Sequence, residues 1–166
     1  MRYELVIPIE PVPMRKGATV IDGHASVYTP KKITVFEAKV AAIAAETIKE
    51  PIRGPVYLMM KFYLARPKRL MRRNDPEGAV LCPLRPDLDN LEKSLTDGLN
   101  GIAFLDDSQV AEKHSVKLYH EKGQEDERTV PIGKMYDRYY GRPRMELEIQ
   151  GWPSDQLIVL GDEVKR

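Results

Sequence analysis

Between Arg85 and Val110 the chain carries five aspartates, at positions 87, 89, 97, 106 and 107. Asp87 and Asp89 stand two apart at the predicted entry to a helix, and in an extended approach residues i and i+2 point the same way. Two carboxylates held close repel each other and call for a compensating positive charge. A divalent cation supplies it best. Mg²⁺ suits such a pair because it takes hard oxygen ligands, accepts few of them from the protein and keeps several waters, and Mn²⁺ shares that ligand preference. Asp89, Lys93 and Asp97 follow at intervals of four, so they line one stripe of the helix and set an ammonium group one turn from the acid pair. Asn90 can cap the helix or steady a ligand carboxylate from behind, and Asp97 and Asp106 are expected to support the site in the same way. If the apolar stretch from Ile102 to Leu105 turns the chain back along the helix, one of Asp106 and Asp107 can complete the ion's ligands. Adjacent strand side chains point oppositely, so the two are not expected to bind equally. The chemistry that such a site serves is hydrolysis of a phosphodiester. The ion polarises a non-bridging oxygen and activates a water, while Lys93 meets the charge that builds on the phosphate or the leaving oxygen.

Simpler readings compete with this one. Asp87, Asp89 and Asn90 are all common helix N-caps. Lys93 between two acids can be a surface ladder worth about 0.2–0.5 kcal/mol per pair, and Asp106-Asp107-Ser108 can be a turn. Each alone is a sound alternative; their coincidence around one short helix favours the metal site. An EF-hand begins like Asp87-x-Asp89 but fails further on, with Leu91 at its fifth position, Glu92 where glycine belongs and Gly98 where a bidentate glutamate belongs. His24, His114 and His120 are scattered, and Ser94, Ser108 and Ser115 have no evident partnered base.

The elements that must position these residues can be read from periodicity. Tyr3, Leu5, Ile7 and Ile9 alternate and predict an opening strand, broken by Pro11 and Pro13; a polar, glycine-containing stretch continues through His24. Thr29-Pro30 predicts a helix start, with the hydroxyl as cap, and Phe36, Val40, Ile43 and Thr47 mark one face of a helix that Pro51 ends. Val56 to Leu64 alternates as a second strand. A long basic connection, Arg66 to Pro86, leads to the acidic helix, from Leu88 or Asp89 to Asn100, which Asn100-Gly101 closes. Val110 to His120 predicts a strand with Val116 and Leu118 inward, and Met145, Leu147 and Ile149 predict another. Between them lies a charged excursion, residues 121 to 142, and the tail includes Leu157 to Leu160, expected as a short added strand. The order β-α-β-α-β-β predicts an α+β fold, a small mixed sheet with two packed helices. No Gly-rich phosphate loop precedes either helix, which argues against a nucleotide-binding fold.

The totals suit one domain with a real core, placed over residues 1–150, with a tail over 151–166. The chain has 166 residues, 42% apolar and 31% charged, and a net charge of only +1. The distribution says more than the sum. Lys61 to Arg73 holds six basic residues and no acid, and further pairs stand at Arg15-Lys16 and Lys31-Lys32. Clusters of this kind are the footprint of a phosphate binder. Arg15, Lys16, Lys31, Lys32, Arg66, Lys68 and Arg69 are the expected phosphate contacts. A single cysteine, Cys82, excludes an intrachain disulfide or a cysteine zinc site and fits a reducing compartment. The N-terminus reads as a strand rather than a signal peptide, and no apolar run is long enough to span a membrane, so a cytoplasmic protein is expected.

The acidic segment resembles the RusA family of Holliday-junction endonucleases. The resemblance is carried by Pro86-Asp87-Leu88-Asp89-Asn90, Lys93, Asp97, Leu99-Asn100-Gly101 and Asp106-Asp107-Ser108-Gln109-Val110. Pro11-x-Pro13, Tyr28-Thr29-Pro30-Lys31-Lys32, Arg66-Pro67-Lys68 and the last strand are similar too. It implies a homodimer of mixed α/β fold that nicks four-way DNA junctions with Mg²⁺, with Asp87, Asp89 and Asp107 as metal carboxylates and Lys93 as the essential lysine. Residues 70–84, the excursion at 121–142 and the tail have no counterpart in the family's pattern. Two rivals stand beside this reading: a metal-free DNA-binding module, and a metal nuclease for flaps or forks.

Overall fold

The computed structural model describes residues 1–21, 24–123, 139 and 141–152. In chain order these form β1 (Arg2–Ile7), β2 (Gly17–Ile21), β3 (His24–Tyr28), α1 (Lys31–Thr47), β4 (Val56–Leu64), the two-residue β5 (Val80–Leu81), α2 (Leu88–Leu99), β6 (Val110–Tyr119) and β7 (Arg144–Gly151). The five-stranded sheet has the order β1-β7-β4-β6-β5, and β2 and β3 make a separate antiparallel hairpin. β4 pairs antiparallel with β7 and parallel with β6, so the sheet is mixed and the class is α+β.

The alternation in β4 sets the core. Val56, Leu58, Met60, Phe62 and Leu64 are buried on one face, opposite Leu147, Ile149 and Met145 of β7 and Leu5 and Ile7 of β1. The two helices cover this face. α1 contributes Ile33, Phe36, Val40 and Ala44, and α2 contributes Leu91, Leu95 and Leu99 at the i, i+4, i+8 spacing of one helical stripe. Burying each such leucine or isoleucine stabilises the fold by about 1.5–3 kcal/mol. The helices meet where α2 carries Gly98. A Cβ there would lie 3.0 Å from Val40 and 3.2 Å from the Glu37 Cα, so a larger residue would push α1 and α2 apart.

Several local expectations are corrected. The hairpin β2–β3 lies in the stretch read as polar linker. Thr29 does not cap α1: Pro30 holds the N-cap position, without a side-chain bond, and its carbonyl accepts the Ile33 amide at 2.9 Å. α1 ends at Thr47 rather than Glu50, because Ile48 becomes extended and buries its side chain. In β6 the helix-facing residues are Lys113, Ser115, Lys117 and Tyr119, in register with Leu58, Met60, Phe62 and Leu64. Val116 and Leu118 are in register with Lys61 and Tyr63 on the opposite face. The α2 end of the core is polar, so apolarity did not mark the inward side of β6. The expected strand at Leu157–Leu160 and most of the tyrosine-rich part of the excursion lie outside the described residues.

Candidate active site

α2 starts at Leu88 with Asp87 at its N-cap, extended at φ −70° and ψ 144°. An aspartate in that position normally accepts a hydrogen bond from the amide of N2 or N3. Asp87 makes no such bond. Asp89 stands in the first turn, where the positive end of the helix favours a carboxylate. Both are exposed, and neither carboxylate has a partner among the described residues. Helix capping therefore does not explain Asp87, and both carboxylates are left unused at the entry to the helix.

The surroundings of the pair are basic. Lys117 reaches across from β6 and donates to the carbonyls of Leu84 at 2.7 Å and Pro86 at 2.5 Å, which sets an ammonium group just ahead of Asp87. The segment after Pro11 is strapped to the same helix: the Met14 amide donates to the Asn90 carbonyl at 2.7 Å, and the buried Ser94 hydroxyl donates to the Val12 carbonyl. Arg15 and Lys16 follow this strap and are exposed beside the entry to α2. Lys117 and Ser94 escaped the sequence reading. The apolar pattern of β6 put Lys117 on the face away from α2 and so hid it; nothing in the sequence marked Ser94 as the anchor of a segment so distant in the chain.

Lys93 leans away from the pair, toward the next acid. Its Nζ lies 3.4 Å from Asp97 Oδ1. Glu37 of α1 joins them, because the close approach at Gly98 brings α1 alongside. Its carboxyl is raised above the ordinary range, first by burial and then by the charge of Asp97, with Lys93 opposing. Lys93 thus already sits between acids on two helices, and the spacing within α2 could not reveal the second of them.

Asp106 and Asp107 separate cleanly. Asp106 caps a single turn of 3₁₀ helix, Asp107–Gln109: its carboxylate accepts the Ser108 amide at 3.0 Å, and Gln109 returns the bond as a capping box. The bonds from Ser108 hold the Asp106 carboxyl below its ordinary range. Gln109 also fastens the turn, accepting from the amides of Leu105 and Asp106 and donating to the carbonyls of Ile52 and Gly54. Asp107 is exposed and has no partner among the described residues.

Within one chain the three expected metal carboxylates do not meet. Among the described residues no three His, Cys, Asp or Glu side chains form a group that could hold an ion. β6 does run back along α2, as Lys117 beside Pro86 and Lys113 paired with Glu92 show. The strand begins only after the Asp106-Asp107 turn, however, and that turn is tied to Ile52 and Gly54 near the C-terminal end of the helix, where Asn100 bridges to Phe104. The twelve residues of α2 span about 18 Å, so Asp87 and Asp107 of the same chain stand roughly a helix length apart. The expected convergence in one chain is corrected accordingly.

One predicted phosphate contact is also corrected. Arg66 is buried, and its guanidinium is committed to the carbonyls of Leu70, Pro76 and Gly78, each at 2.9 Å, with His120 at 3.4 Å. It holds the basic connection together from inside. Lys68 and Arg69, on the turn Lys68–Leu70 that Arg66 braces, are exposed, as are Lys31 and Lys32 at the start of α1. Cys82 is buried, and its thiol faces the Leu84 carbonyl at 3.6 Å.

An α+β fold with free carboxylates at a helix entry, flanked by ammonium groups and exposed basic segments, has the equipment of a DNA-cutting nuclease. The chain belongs to the endodeoxyribonuclease RusA family, whose pattern it matches over residues 8–150. It is an endodeoxyribonuclease by that membership, in a family that resolves Holliday junctions. It is also similar to the uncharacterized protein YqaN of Bacillus subtilis (strain 168), with 32% identity over 120 residues, covering 68% of this chain and 84% of that protein. No helix of the described residues is long and apolar enough to cross a membrane.

Proposed function

We propose that this endonuclease resolves four-way DNA junctions by paired symmetric nicks in recombination and repair, that it depends on Mg²⁺, and that each metal site is shared between two copies of the chain. The observation that carries this reading is the placing of three uncommitted acids at opposite ends of α2: Asp87 with Asp89 at one end and Asp107 at the other. A two-fold axis brings opposite ends of two identical molecules together, and it generates two equivalent sites. Two sites are what a symmetric cut of two strands requires.

The donor set suits a hard cation. Asp87, Asp89 and Asp107 of the partner subunit would supply carboxylate oxygens only, from exposed side chains whose lone pairs no protein group uses. When bound, Mg²⁺ supplies Lewis-acid polarisation of the phosphate and a water of lowered pKa. The chain's own groups do the rest. Lys93 meets the charge that develops on the phosphate, and Asp97 and Glu37 hold its ammonium ready from the far side. Lys117 fixes the carbonyls ahead of Asp87 and so aims the acid pair. Arg15, Lys16, Lys31, Lys32, Lys68 and Arg69 bind phosphates and orient the arms, contacts that carry affinity rather than sequence preference.

Cleavage by two neighbouring variants tests the acid assignment. Asparagine caps a helix as well as aspartate does, so Asp106→Asn is expected to cut a four-way junction within about twofold of the wild-type rate. Asp107→Asn removes an ion ligand and is expected to lose at least about 10²-fold. Equal losses, or the reverse order, would remove Asp107 from the site. Flaps and forks assayed in parallel decide the substrate: comparable cutting of all of them would make the enzyme a general branched-DNA nuclease.

A further inference from the structure

The basic connection from Arg66 to Pro86 is held from inside by two buried cations. Arg66 gathers the carbonyls of Leu70, Pro76 and Gly78. Lys122 braces the same stretch from beyond β6. Its Nζ donates to the Asp75 carbonyl at 2.6 Å and to Glu77 Oε1 at 3.2 Å, and its amide donates to the Glu77 carbonyl at 2.8 Å. The tip closes on itself: Asp75 accepts the Arg72 amide at 2.6 Å, and the Asp75 amide donates to the Arg72 carbonyl at 3.0 Å. Asp75 and Glu77 are the only acids of the connection, and both are committed to these bonds. Its outer cations are not committed. Lys68, Arg69, Arg72 and Arg73 are exposed and have no anionic partner among the described residues. The other end is fastened to the acid site: the Cys82 amide donates to the Lys117 carbonyl at 3.0 Å, and Lys117 in turn holds the carbonyls of Leu84 and Pro86. The connection is therefore one braced body, with free cations at one end and Asp87 following the other.

We propose that this connection is a preformed phosphate clamp. Arg72 and Arg73, with Lys68 and Arg69, grip the backbone of one duplex arm. Arg66 and Lys122 fix that grip at a set distance from Asp87, so the clamp decides which phosphodiester reaches the acids. This rests on the junction-cutting reading and adds to it a means of choosing the bond. The ligand is a duplex phosphate backbone, met by charge and position without contact to the bases. A loop ordered before binding gives up little freedom on contact, so its cations act at full strength. Lys122 is a positioning residue: it is buried and turned toward the loop's own carbonyls, and it acts on DNA only through Arg72 and Arg73.

Junction binding without Mg²⁺, followed by mapping of the nicks in Mg²⁺, tests this on the full chain. The double variant Arg72→Ala/Arg73→Ala is expected to shallow the dependence of log affinity on log salt by about 2, one for each phosphate released. Its nicks are expected to spread over bonds neighbouring the wild-type position. Lys122→Met removes no exposed charge. It is expected to weaken binding about tenfold in the otherwise wild-type chain but less than about twofold beside Arg72→Ala/Arg73→Ala, because the clamp it positions is then already lost. An unchanged salt slope in the double variant, nicks that stay at the wild-type position, or an equal loss from Lys122→Met in both backgrounds would overturn the proposal. The double variant alters only exposed side chains, so the slope and the nick map decide even if Lys122→Met fails to fold. A reduced slope in a protein that does not cut would leave the clamp's grip standing and remove the catalytic reading; cutting with an unchanged slope would do the reverse.

Discussion

Asp87→Asn is expected to lower the rate of junction cleavage in Mg²⁺ by at least about 10³-fold, or ~4 kcal/mol of transition-state stabilisation, while the chain folds and binds the junction as before. The size follows from what the side chain does in the folded protein. Asp87 accepts no capping bond and pairs with no cation among the described residues, so asparagine disturbs no structural contact; as a good N-cap it leaves the start of α2 intact. On the proposed reading it removes one formal charge from an ion site that would have few protein ligands. Binding, assigned to the basic segments in the proposed reading, is expected to persist or to strengthen slightly as a negative charge facing the phosphates disappears. Gel-shift and cleavage assays on the same preparation separate the two effects, and a variant that cuts at the normal rate would remove Asp87 from the chemistry.

Glu121→Gln is expected to cost about 3 kcal/mol of stability, a fall in melting temperature of about 6–12 °C for a domain of this size. The charge in question balances Arg144, which is buried at the start of β7. Arg144 donates to both carboxylate oxygens of Glu121 at 2.9 Å, donates to Glu146 at 2.9 Å, and lies over the Tyr63 ring at 3.7 Å from its centroid. Burial and the charge of Glu146 push the Tyr63 hydroxyl up to about 12, so it stays protonated. Glutamine keeps the shape of Glu121 but leaves Arg144 balanced by Glu146 alone among the described residues, in a site where unpaired charge is costly. The pH dependence has a definite sign. Burial acts to raise the Glu121 carboxyl, but the bonds and charge of Arg144 outweigh it and hold the group below its ordinary range. The pair therefore contributes fully above the ordinary glutamate range, and that contribution is lost as pH falls through the depressed value. Melting curves of wild type and Glu121→Gln should differ most near neutral pH and converge in acid; a constant gap would mean that packing rather than charge is responsible.

How much of this was legible in the sequence depended on whether a residue's role is local. The core strands were, because β4 and β7 face one apolar layer and alternate cleanly. So were the bounds of α2, where an acidic start and Asn100-Gly101 bracket an apolar stripe, and Gly101 duly takes φ +75°. The hairpin was missed because its strands bury little, with Val20, Val27 and Tyr28 exposed, and so offer no inward face. The Asp22-Gly23 dipeptide between two β-branched runs was the available signal. Arg66 could not be told from its basic neighbours, since a charge run does not say which member turns inward to gather carbonyls. Asp106 and Asp107 are equivalent in sequence and became distinct only through the backbone of the turn that Gln109 fastens. The separation of Asp87 from Asp107 was out of reach for a deeper reason. The spacing groups acids suited to one ion, but spacing along one chain carries no information on whether such a group assembles within that chain or across two.

That last point is open to one direct measurement. Asp87→Asn and Asp107→Asn chains, each inactive alone, are mixed under conditions that exchange subunits, and nicking of a four-way junction is followed. If each site takes Asp87 and Asp89 from one chain and the third carboxylate from the other, the mixed dimer has one site with both lesions and one with none, and nicking returns to a substantial fraction of the wild-type rate. If the three acids come from a single chain, every site carries one of the two lesions, the mixture stays as inactive as its components, and the shared metal site is contradicted.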